Sequence, residues 1–376
     1  MFVLFLYWLF VFSISIQCLY ALYFFIRLFF IPETPIADID VTKGASVIIC
    51  ARNEAHNLLN NLPLILAQRY SNDPANTAYE VIVVNDASSD DTSNILANLQ
   101  TAHRHLNVIN ISPEEKITTP GKKHALAKAV ATAAYEWLVF TDADCVPSGN
   151  EWLALMTAPL YAGKEIVAGY GRYKRTGGLL NKFTRWESLH TFLQYSSYAY
   201  AGMPYMAVGR NLACTKNIWL SGHQSGIWKT LPSGDDDMLM RAMATGSNTA
   251  IVADQQAHTI TIGKESWKEW MKQKQRHLST GKYYKPFIKA LLSMYASTHA
   301  AMWLLFIYFL FIPSPHSIFW YFSLRCVLYW GIWICTARKL NEKKLTIFFP
   351  LFDIGWMLYN FAFSPYIILK NKQQWT

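Results

Sequence analysis

Two aspartates, Asp142 and Asp144, are separated by one residue and follow an apolar segment at Trp137–Thr141. Open α/β sheets bind their ligands at the carboxyl ends of strands. Two carboxylates at such a place supply oxygen ligands for a divalent cation, which also binds phosphate groups. A second apolar segment, Glu80–Asn85, ends in the same way at Asp86. The pattern therefore predicts a metal-assisted phosphate site that contains Asp142 and Asp144.

Other charged side chains that suit phosphate and proton chemistry follow the remaining strands or open helices. Glu54 comes after the first apolar strand segment, and Lys122 and Lys123 open a helical pattern. Helix N-termini and cationic side chains favour phosphate. Three consecutive acids at 235–237 precede another helical pattern. Like charges packed together raise the proton affinity of one another, so these acids include a candidate general base.

Each of these groups also has a simpler structural interpretation. Asp142 or Asp144 could cap the next helix, and the acids at 235–237 could complement a helix dipole. Lys122 and Lys123 could form a solvated helix start. We prefer metal binding for the aspartate pair because two acids stand at one strand end and Asp86 ends a second strand.

The elements that must position these side chains alternate regularly in the middle of the chain. Unbroken apolar strands that alternate with helical patterns predict an α/β domain with a mainly parallel, Rossmann-like sheet covered on both faces. The predicted strands are Ser46–Ala51, Glu80–Asn85, Asn107–Ile111, Trp137–Thr141, Glu165–Gly169 and Thr249–Ala253. The predicted helices are Glu54–Gln68, Asp90–Gln100, Lys122–Ala134 and Asn150–Tyr161.

The two ends of the chain are apolar enough to enter a membrane. Phe2–Ile31 is almost uncharged and long enough to span a bilayer. It lacks the basic start and small-residue cleavage site of a signal peptide, so we expect a retained anchor over residues 1–31. Three more apolar runs follow, at Leu291–Ile312, Ile318–Cys335 and Leu345–Leu369. We expect a C-terminal membrane region over residues 290–369 with two to three spans, because prolines and an aspartate interrupt the last run.

The formal net charge of +9 is compatible with a nucleic acid or with an anionic membrane surface. The lysines and arginines cluster beside the apolar segments, and no nucleic-acid recognition motif is present, so we expect a membrane and no nucleic acid as partner. Basic loops beside membrane spans face the cytoplasm. The sequence therefore predicts a multi-pass protein of the cell (inner) membrane whose middle domain is cytoplasmic.

Six short motifs occur in order between residues 45 and 281. They are A-R-N-E at Ala51–Glu54, V-V-N-D-A-S-S-D-D-T at Val83–Thr92, G-K-K-H-A-L at Gly121–Leu126, D-A-D at Asp142–Asp144, G-D-D at Gly234–Asp236 and Q-x-x-R at Gln273–Arg276. Together they make the chain resemble the family-2 glycosyltransferases, which are membrane-anchored enzymes with a nucleotide-sugar-binding α/β domain. The resemblance implies a GT-A-like fold, with that domain over residues 45–285.

The resemblance also implies roles on the donor side of the site. Glu54 and Asp86 would contact the base and ribose of a nucleoside-diphosphate sugar, with a UDP-sugar favoured. Lys122 or Lys123 would bind the same nucleotide. The aspartate pair, Asp142 with Asp144, would hold Mg²⁺ or Mn²⁺ against the diphosphate.

On the acceptor side, the resemblance makes Asp236 the general base, and the choice of Asp236 over Asp235 rests on it alone. Gln273 and Arg276 would line the acceptor and pyrophosphate side. The chain departs from the synthase pattern Q-x-x-R-W, since His277 stands in place of tryptophan. This difference puts a stacking contact, and with it processive polymer synthesis, in doubt.

These residue types also suit the chemistry without the family. An alcohol is a poor nucleophile unless a base takes up its proton, and a departing diphosphate needs cations. One base without a nucleophilic partner favours a single displacement with inversion. We predict an inverting transfer to a hydroxyl of a lipid-linked or polysaccharide acceptor. The alternatives are a processive polysaccharide synthase subunit, a non-catalytic nucleotide-binding membrane sensor, and a nucleotidyltransferase.

Overall fold

The computed structural model describes residues 1–33, 43–70, 78–115, 122–224 and 234–369, with side chains described as far as residue 363. Gly121, which belongs to one of the six motifs, lies outside the described residues.

A mostly parallel sheet forms the centre of the molecule, as predicted. The strands are β1 (Ala45–Ala51), β2 (Tyr79–Asp86), β3 (Leu106–Ile111), β4 (Trp137–Asp142), β5 (Val146–Pro147), β6 (Ile166–Gly169), β7 (Gly171–Tyr173), β8 (Leu212–Thr215), β9 (Thr249–Val252) and β10 (Thr259–Thr261). Within the described ranges, seven strands form one sheet in the order β3-β2-β1-β4-β8-β6-β9, and β5-β10-β7 form a second, smaller sheet. All six predicted strands match the observed ones to within one residue at each end.

Helices cover both faces of the large sheet and continue into the apolar ends of the chain. They are α1 (Phe2–Tyr23), α2 (Ala55–Leu66), α3 (Thr92–Ala102), α4 (Lys123–Thr132), α5 (Trp152–Tyr161), α6 (Gly178–Tyr200), α7 (Lys216–Gly222), α8 (Asp235–Met243), α9 (Trp267–Leu278), α10 (Pro286–Phe309), α11 (Ser317–Lys339) and α12 (Phe349–Leu369). Side chains of a strand alternate between the two faces. Val47 and Ile49 of β1 therefore pack towards α2 and α5, while Ile48 packs towards α4 and α6.

The register of the strands brings the predicted site residues to one edge of the sheet. β1 runs parallel to β2 and β4, and Cys50 pairs with Asp142. β8 is antiparallel to β4, with Phe140 opposite Leu212. An antiparallel strand begins where its neighbour ends, so the turn before β8 lies at the same edge as the end of β4.

In the part of the chain that the structure describes, four helical segments are long and apolar enough to cross a membrane, judged by length and composition. The first is Phe2–Phe30, which includes α1. The other three are α10, α11 and the segment Lys343–Phe363, which includes most of α12. Asp353, which interrupted the last apolar run, is fully buried and forms an ion pair with Arg325 of α11. A buried pair explains how a charged residue is accommodated in an otherwise apolar helix.

Candidate active site

A cleft of about 1270 Å³ opens at the carboxyl edge of the sheet. Its walls include most of the predicted site residues, which come from separate elements: Glu54, Lys122, Asp142, Asp144, Asp235, Asp236 and Arg276. The topology thus gathers acids and cations that are up to 222 positions apart in the sequence, from Glu54 to Arg276. This concentration of charge in one concave site identifies it as the candidate active site.

Asp142 ends β4, and its charge is balanced by cations in the cleft. Lys122 Nζ donates to Asp142 Oδ1 at 2.9 Å. Burial acts to raise the pKa of Asp142, but Lys122 and then Arg210 outweigh burial and hold that pKa below its usual value. Burial likewise acts to lower the pKa of Lys122, and the Asp142 carboxylate reverses this, so the pKa of Lys122 is raised. Both groups are therefore charged at neutral pH.

Asp144 is held by two neighbours. The Thr261 hydroxyl donates to Asp144 Oδ2 at 2.9 Å, and the Cys145 thiol donates to Oδ1 at 3.4 Å. Thr261 lies on β10, which pairs with β5 immediately after the aspartate pair. The smaller sheet therefore sets the orientation of this carboxylate.

The aspartate pair fits a hard divalent cation. Ligand atoms of Asp142, Asp144 and Cys145 lie within 4.8 Å of one another. Burial raises the pKa of the Cys145 thiol well above its ordinary value, so the thiol stays protonated and is a poor ligand. Two carboxylates that leave the other coordination positions to water and phosphate oxygens are the usual donor set for Mg²⁺ and suit Mn²⁺ as well.

Asp236 stands at the first turn of α8, and hydrogen bonds fix its orientation. The Gly209 N–H donates to Asp236 Oδ2 at 2.7 Å, and the Asp237 N–H donates to Oδ1 at 3.0 Å. Burial raises the pKa of Asp236, and Asp235 adds to the effect, although the two N–H groups act in the opposite direction. A carboxylate with a raised pKa that faces a cleft is suited to take up a proton.

Asp237 also borders the cleft, but its carboxylate is engaged by two hydroxyl groups. It is 6% exposed, and the hydroxyls of Thr280 and Tyr284 donate to its Oδ2 at 2.5 and 3.2 Å. These contacts connect the start of α8 to the segment that follows α9. Helix α9 itself contains Arg276. Asp237 therefore fixes the distance between the candidate base and the basic helix.

Glu54 occupies the opposite side of the cleft, on the loop between β1 and α2. Asn57 Nδ2 donates to Glu54 Oε2 at 2.6 Å, and burial raises the pKa of Glu54. The loop is tied to the one after β2, because the Asn53 N–H donates to Ser88 Oγ at 2.9 Å and the Ser89 N–H donates to Asn53 Oδ1 at 2.8 Å. Asn53 adopts a positive φ of 55°, which asparagine tolerates better than most residues.

Three predicted site residues lie outside the described walls of the cleft. Asp86 and Lys123 are 3% and 1% exposed, and Gln273 is half-buried on α9. Arg276 and His277 of the same helix do line the cleft.

Two further groups line the cleft without a role predicted from the sequence, although the turn Gly209-Arg210-Asn211 was expected among the polar elements at this edge of the sheet. Arg210 precedes β8, a strand of four residues that is too short to give a clear pattern. Trp356, Asn360 and Phe363 belong to α12, one of the candidate membrane helices. No motif marked either group. For Arg210, the available signal was the Gly209-Arg210-Asn211 turn between two longer elements.

Comparisons with known proteins agree with this geometry. The model of "Glycosyl transferase family 2" matches residues 46–219, and that of "Glycosyl transferase family group 2" matches residues 137–334, which is more than half of the chain. The glycosyltransferase AglE of Haloferax volcanii is 29% identical over 175 residues, which cover 46% of this chain and 51% of AglE. Poly-beta-1,6-N-acetyl-D-glucosamine synthase of Staphylococcus epidermidis is 26% identical over 169 residues, which cover 41% of this chain and 36% of the synthase.

The matched region thus spans about half of AglE and about a third of the synthase. Among solved structures, the mannosyltransferase PcManGT of Pyrobaculum calidifontis, in complex with GDP-Man and Mn²⁺, has a TM-score of 0.56 at 18% identity. The likeness covers 96% of this chain and 99% of PcManGT, and it supports the GT-A-like fold with apolar helices at both ends. The chain belongs to glycosyl transferase family 2, and it is a glycosyltransferase.

Proposed function

We propose that this enzyme transfers a sugar from a nucleoside-diphosphate sugar to a hydroxyl of a membrane-held acceptor, with metal assistance and inversion. The observation that carries the proposal is the presence of Asp142, Asp144, Asp236 and Arg276 on the walls of one cleft. A proton acceptor, a donor set for a cation and a guanidinium are groups that suit such a transfer.

The chain's own residues divide between the two substrates. Asp236 takes the proton of the acceptor hydroxyl, and its contact with the Gly209 N–H holds the carboxylate in place. Arg276 stabilises the charge of the departing diphosphate. Asp142 and Asp144 would hold Mg²⁺ or Mn²⁺, which supplies further positive charge to that diphosphate when bound. PcManGT binds GDP-Man and Mn²⁺ in the same fold, which supports a nucleotide-sugar donor and a divalent cation here.

The nucleoside assignments rest on placement at the sheet edge. Glu54 lines the cleft and is our candidate for a contact to the base or ribose, and Lys122 is the candidate for a phosphate contact. The same roles for Asp86 and Lys123 stay predictions, since both side chains are almost completely buried. A UDP-sugar donor also stays a prediction.

The cleft continues towards the candidate membrane helices, and this supports a lipid-linked acceptor. Ser293 and Ala296 of α10 and Trp356, Asn360 and Phe363 of α12 line this part, which we name the membrane arm. Trp356 Nε1 and Asn360 Nδ2 are buried there without a hydrogen-bond partner. A passage with mostly apolar walls and a few unpaired donors fits an amphiphile whose polar head reaches Asp236 while its tail remains between α10 and α12.

The placement of basic residues supports a cytoplasmic catalytic domain in a cell (inner) membrane. The loop from α11 to α12 contacts the sheet domain, since Gln255 donates to the Lys339 carbonyl at 3.1 Å and Arg185 pairs with Glu342. Arg338 and Lys339 therefore lie on the side of the sheet domain. Clusters of this kind mark the cytoplasmic side of a membrane protein.

Polymer synthesis is the second candidate function, because the staphylococcal relative is a polysaccharide synthase by name. His277, in place of tryptophan, removes a large stacking surface from the cleft, which favours single transfer. The product length distinguishes the two functions.

The proposal is tested with purified protein in detergent and native lipid extract. We would measure nucleoside-diphosphate release from UDP-, GDP- and TDP-sugars with Mn²⁺ or Mg²⁺, and after chelation by EDTA. We expect metal-dependent release from one donor and its loss in Asp236→Asn. Metal-dependent binding without release would instead favour the sensor, and release of pyrophosphate would favour a nucleotidyltransferase.

The role of the membrane arm in acceptor binding is tested by placing a large side chain in it. Ala296→Trp should abolish transfer to the lipid acceptor while leaving slow hydrolysis of the donor intact, because the tail can no longer enter. Ala290→Trp, at an exposed position of the same helix, is the matched control and should retain transfer. Equal activity in both variants would show that the acceptor does not use the arm.

A further inference from the structure

Arg210 is a cleft residue to which neither the motifs nor the comparisons give a role. Its guanidinium lines the cleft, and opposite charges on Asp142 and Asp144 act on it. We propose that Arg210 is a catalytic residue that contacts the leaving diphosphate, in addition to Arg276. This inference rests on the proposed nucleotide-sugar donor.

The first support is the rigidity of the turn that carries Arg210. Asn211 is fully buried, and its side chain makes three hydrogen bonds: it accepts from Trp152 Nε1 at 2.9 Å and donates to the carbonyls of Tyr170 and Ala257 at 3.0 and 2.9 Å. These contacts use both N–H donors of the amide and one of the two lone pairs of its oxygen. The turn from Gly209 to Asn211 is thus fixed from beneath the cleft.

The second support is the anchoring of the guanidinium itself. Arg210 Nη2 donates to the Gly171 carbonyl at 2.5 Å, and the guanidinium carbon lies 4.9 Å from the centre of the Tyr173 ring. A β-carbon on residue 171 would stand 2.4 Å from Arg210 Nε. Glycine at position 171 therefore leaves the space that the Arg210 side chain occupies. A charge held in this way costs little reorganisation when a substrate arrives.

The third support is the unused donor capacity. A guanidinium has five N–H groups, and the fork geometry suits phosphate. One N–H of Arg210 goes to Gly171, and Nε is buried without a partner. The neighbouring Gly209 N–H holds the candidate base. The turn therefore places the Arg210 guanidinium near Asp142 and Asp144. The preceding residue, Gly209, holds Asp236 through its N–H.

The proposal is tested by nucleotide binding, which is independent of turnover. We would measure the affinity of the full chain in detergent, with Mn²⁺, for UDP and GDP and for the corresponding monophosphates. Arg210→Ala should bind the preferred diphosphate about 10- to 100-fold more weakly and the monophosphate with a much smaller loss, because a charge-assisted contact to the second phosphate is gone. Guanidinium ions should restore part of the diphosphate affinity.

Arg241→Lys, on α8 and outside the cleft walls, is the control and should bind both nucleotides normally. Equal weakening for diphosphate and monophosphate, or a large fall in melting temperature without rescue by guanidinium, would assign Arg210 a structural role and overturn the proposal. Unchanged diphosphate affinity would overturn it as well. If the wild-type chain binds no nucleotide with Mn²⁺, the proposed function fails first, and that result is recognised without the variant.

Discussion

Two clusters of charged side chains in this molecule have opposite designs. In the cleft, like charges stand together: Asp235, Asp236 and Asp237 follow one another, and the aspartate pair faces them. Among the candidate membrane helices, the charges are balanced. Asp353 accepts from Arg325, from His299 at 2.8 Å and from Trp330 at 3.3 Å.

The second cluster takes at least one residue from each candidate span. Gln17 of α1 accepts from Arg325 of α11 at 3.4 Å, and it donates to the Tyr295 carbonyl of α10 at 3.0 Å. Gln17, Arg325 and Asp353 are each 0% exposed. Such a network fixes which helix faces which, whereas the cleft acids are open to a substrate. Charged side chains that line an open cleft are candidates for chemistry, whereas fully buried charges that pair with one another fix how the helices pack.

The largest effect is expected on turnover, when an acid of the cleft is replaced. Asp236→Asn should lower turnover by about 10²- to 10⁴-fold, the usual contribution of a general base. It should leave the melting temperature unchanged or raised, because removing one of several like charges relieves repulsion. Nucleotide release and thermal denaturation of the same sample measure both quantities. A variant that retains activity would show that another group accepts the proton.

The second prediction concerns the free energy of folding, when a charge of the buried network among the candidate membrane helices is removed. Arg325→Met should cost roughly 3–5 kcal/mol of folding free energy, because it leaves the Asp353 carboxylate buried without its cation. The double variant with Asp353→Leu should be more stable than Arg325→Met alone. Denaturation in detergent checks the order of the three proteins. If the single variant is as stable as wild type, the network contributes nothing to architecture.

A smaller effect is expected in the pH profile. Asp236 must be deprotonated to act as a base, so turnover should fall as the pH drops through its raised pKa. Burial is the main cause of that rise, and the neighbouring Asp235 carboxylate adds to it. Asp235→Asn should therefore move the acid limb of the turnover profile to lower pH. A limb that does not move would show that the two carboxylates are not coupled.

The smallest expected effect concerns Asp237, whose pKa burial raises well above its ordinary value. A carboxyl group with a higher pKa in the folded than in the unfolded state destabilises the fold once the pH exceeds the unfolded value of about 3.9. Asp237→Asn retains an acceptor for Thr280 and Tyr284. It should match wild type in stability below that pH and exceed it slightly at neutral pH. Melting temperatures of both proteins from below pH 3.9 to neutral pH show whether the stability difference has the expected sign.

The central strands could be predicted because their apolar runs are continuous and end in polar residues, as at Asp86 and Asp142. The helix α6 could not, because 15 of its 23 residues are buried and a helix covered on most sides shows no 3.6-residue period. The aspartate pair and the acids at 235–237 were recognised from type and spacing. The turn Gly209-Arg210-Asn211 could be expected at this edge, but a role for Arg210 required the pairing of the short strand β8, which the sequence does not reveal.

The antiparallel pairing of β4 with β8 has a consequence for motion. Phe140 and Leu212 are ladder partners, so the end of β4 that carries Asp142 and the turn that supports Asp236 belong to one hydrogen-bonded unit. Backbone ladders do not stretch during a catalytic cycle. The spacing between the metal-binding carboxylate and the support of the base therefore stays constant while substrates bind and leave.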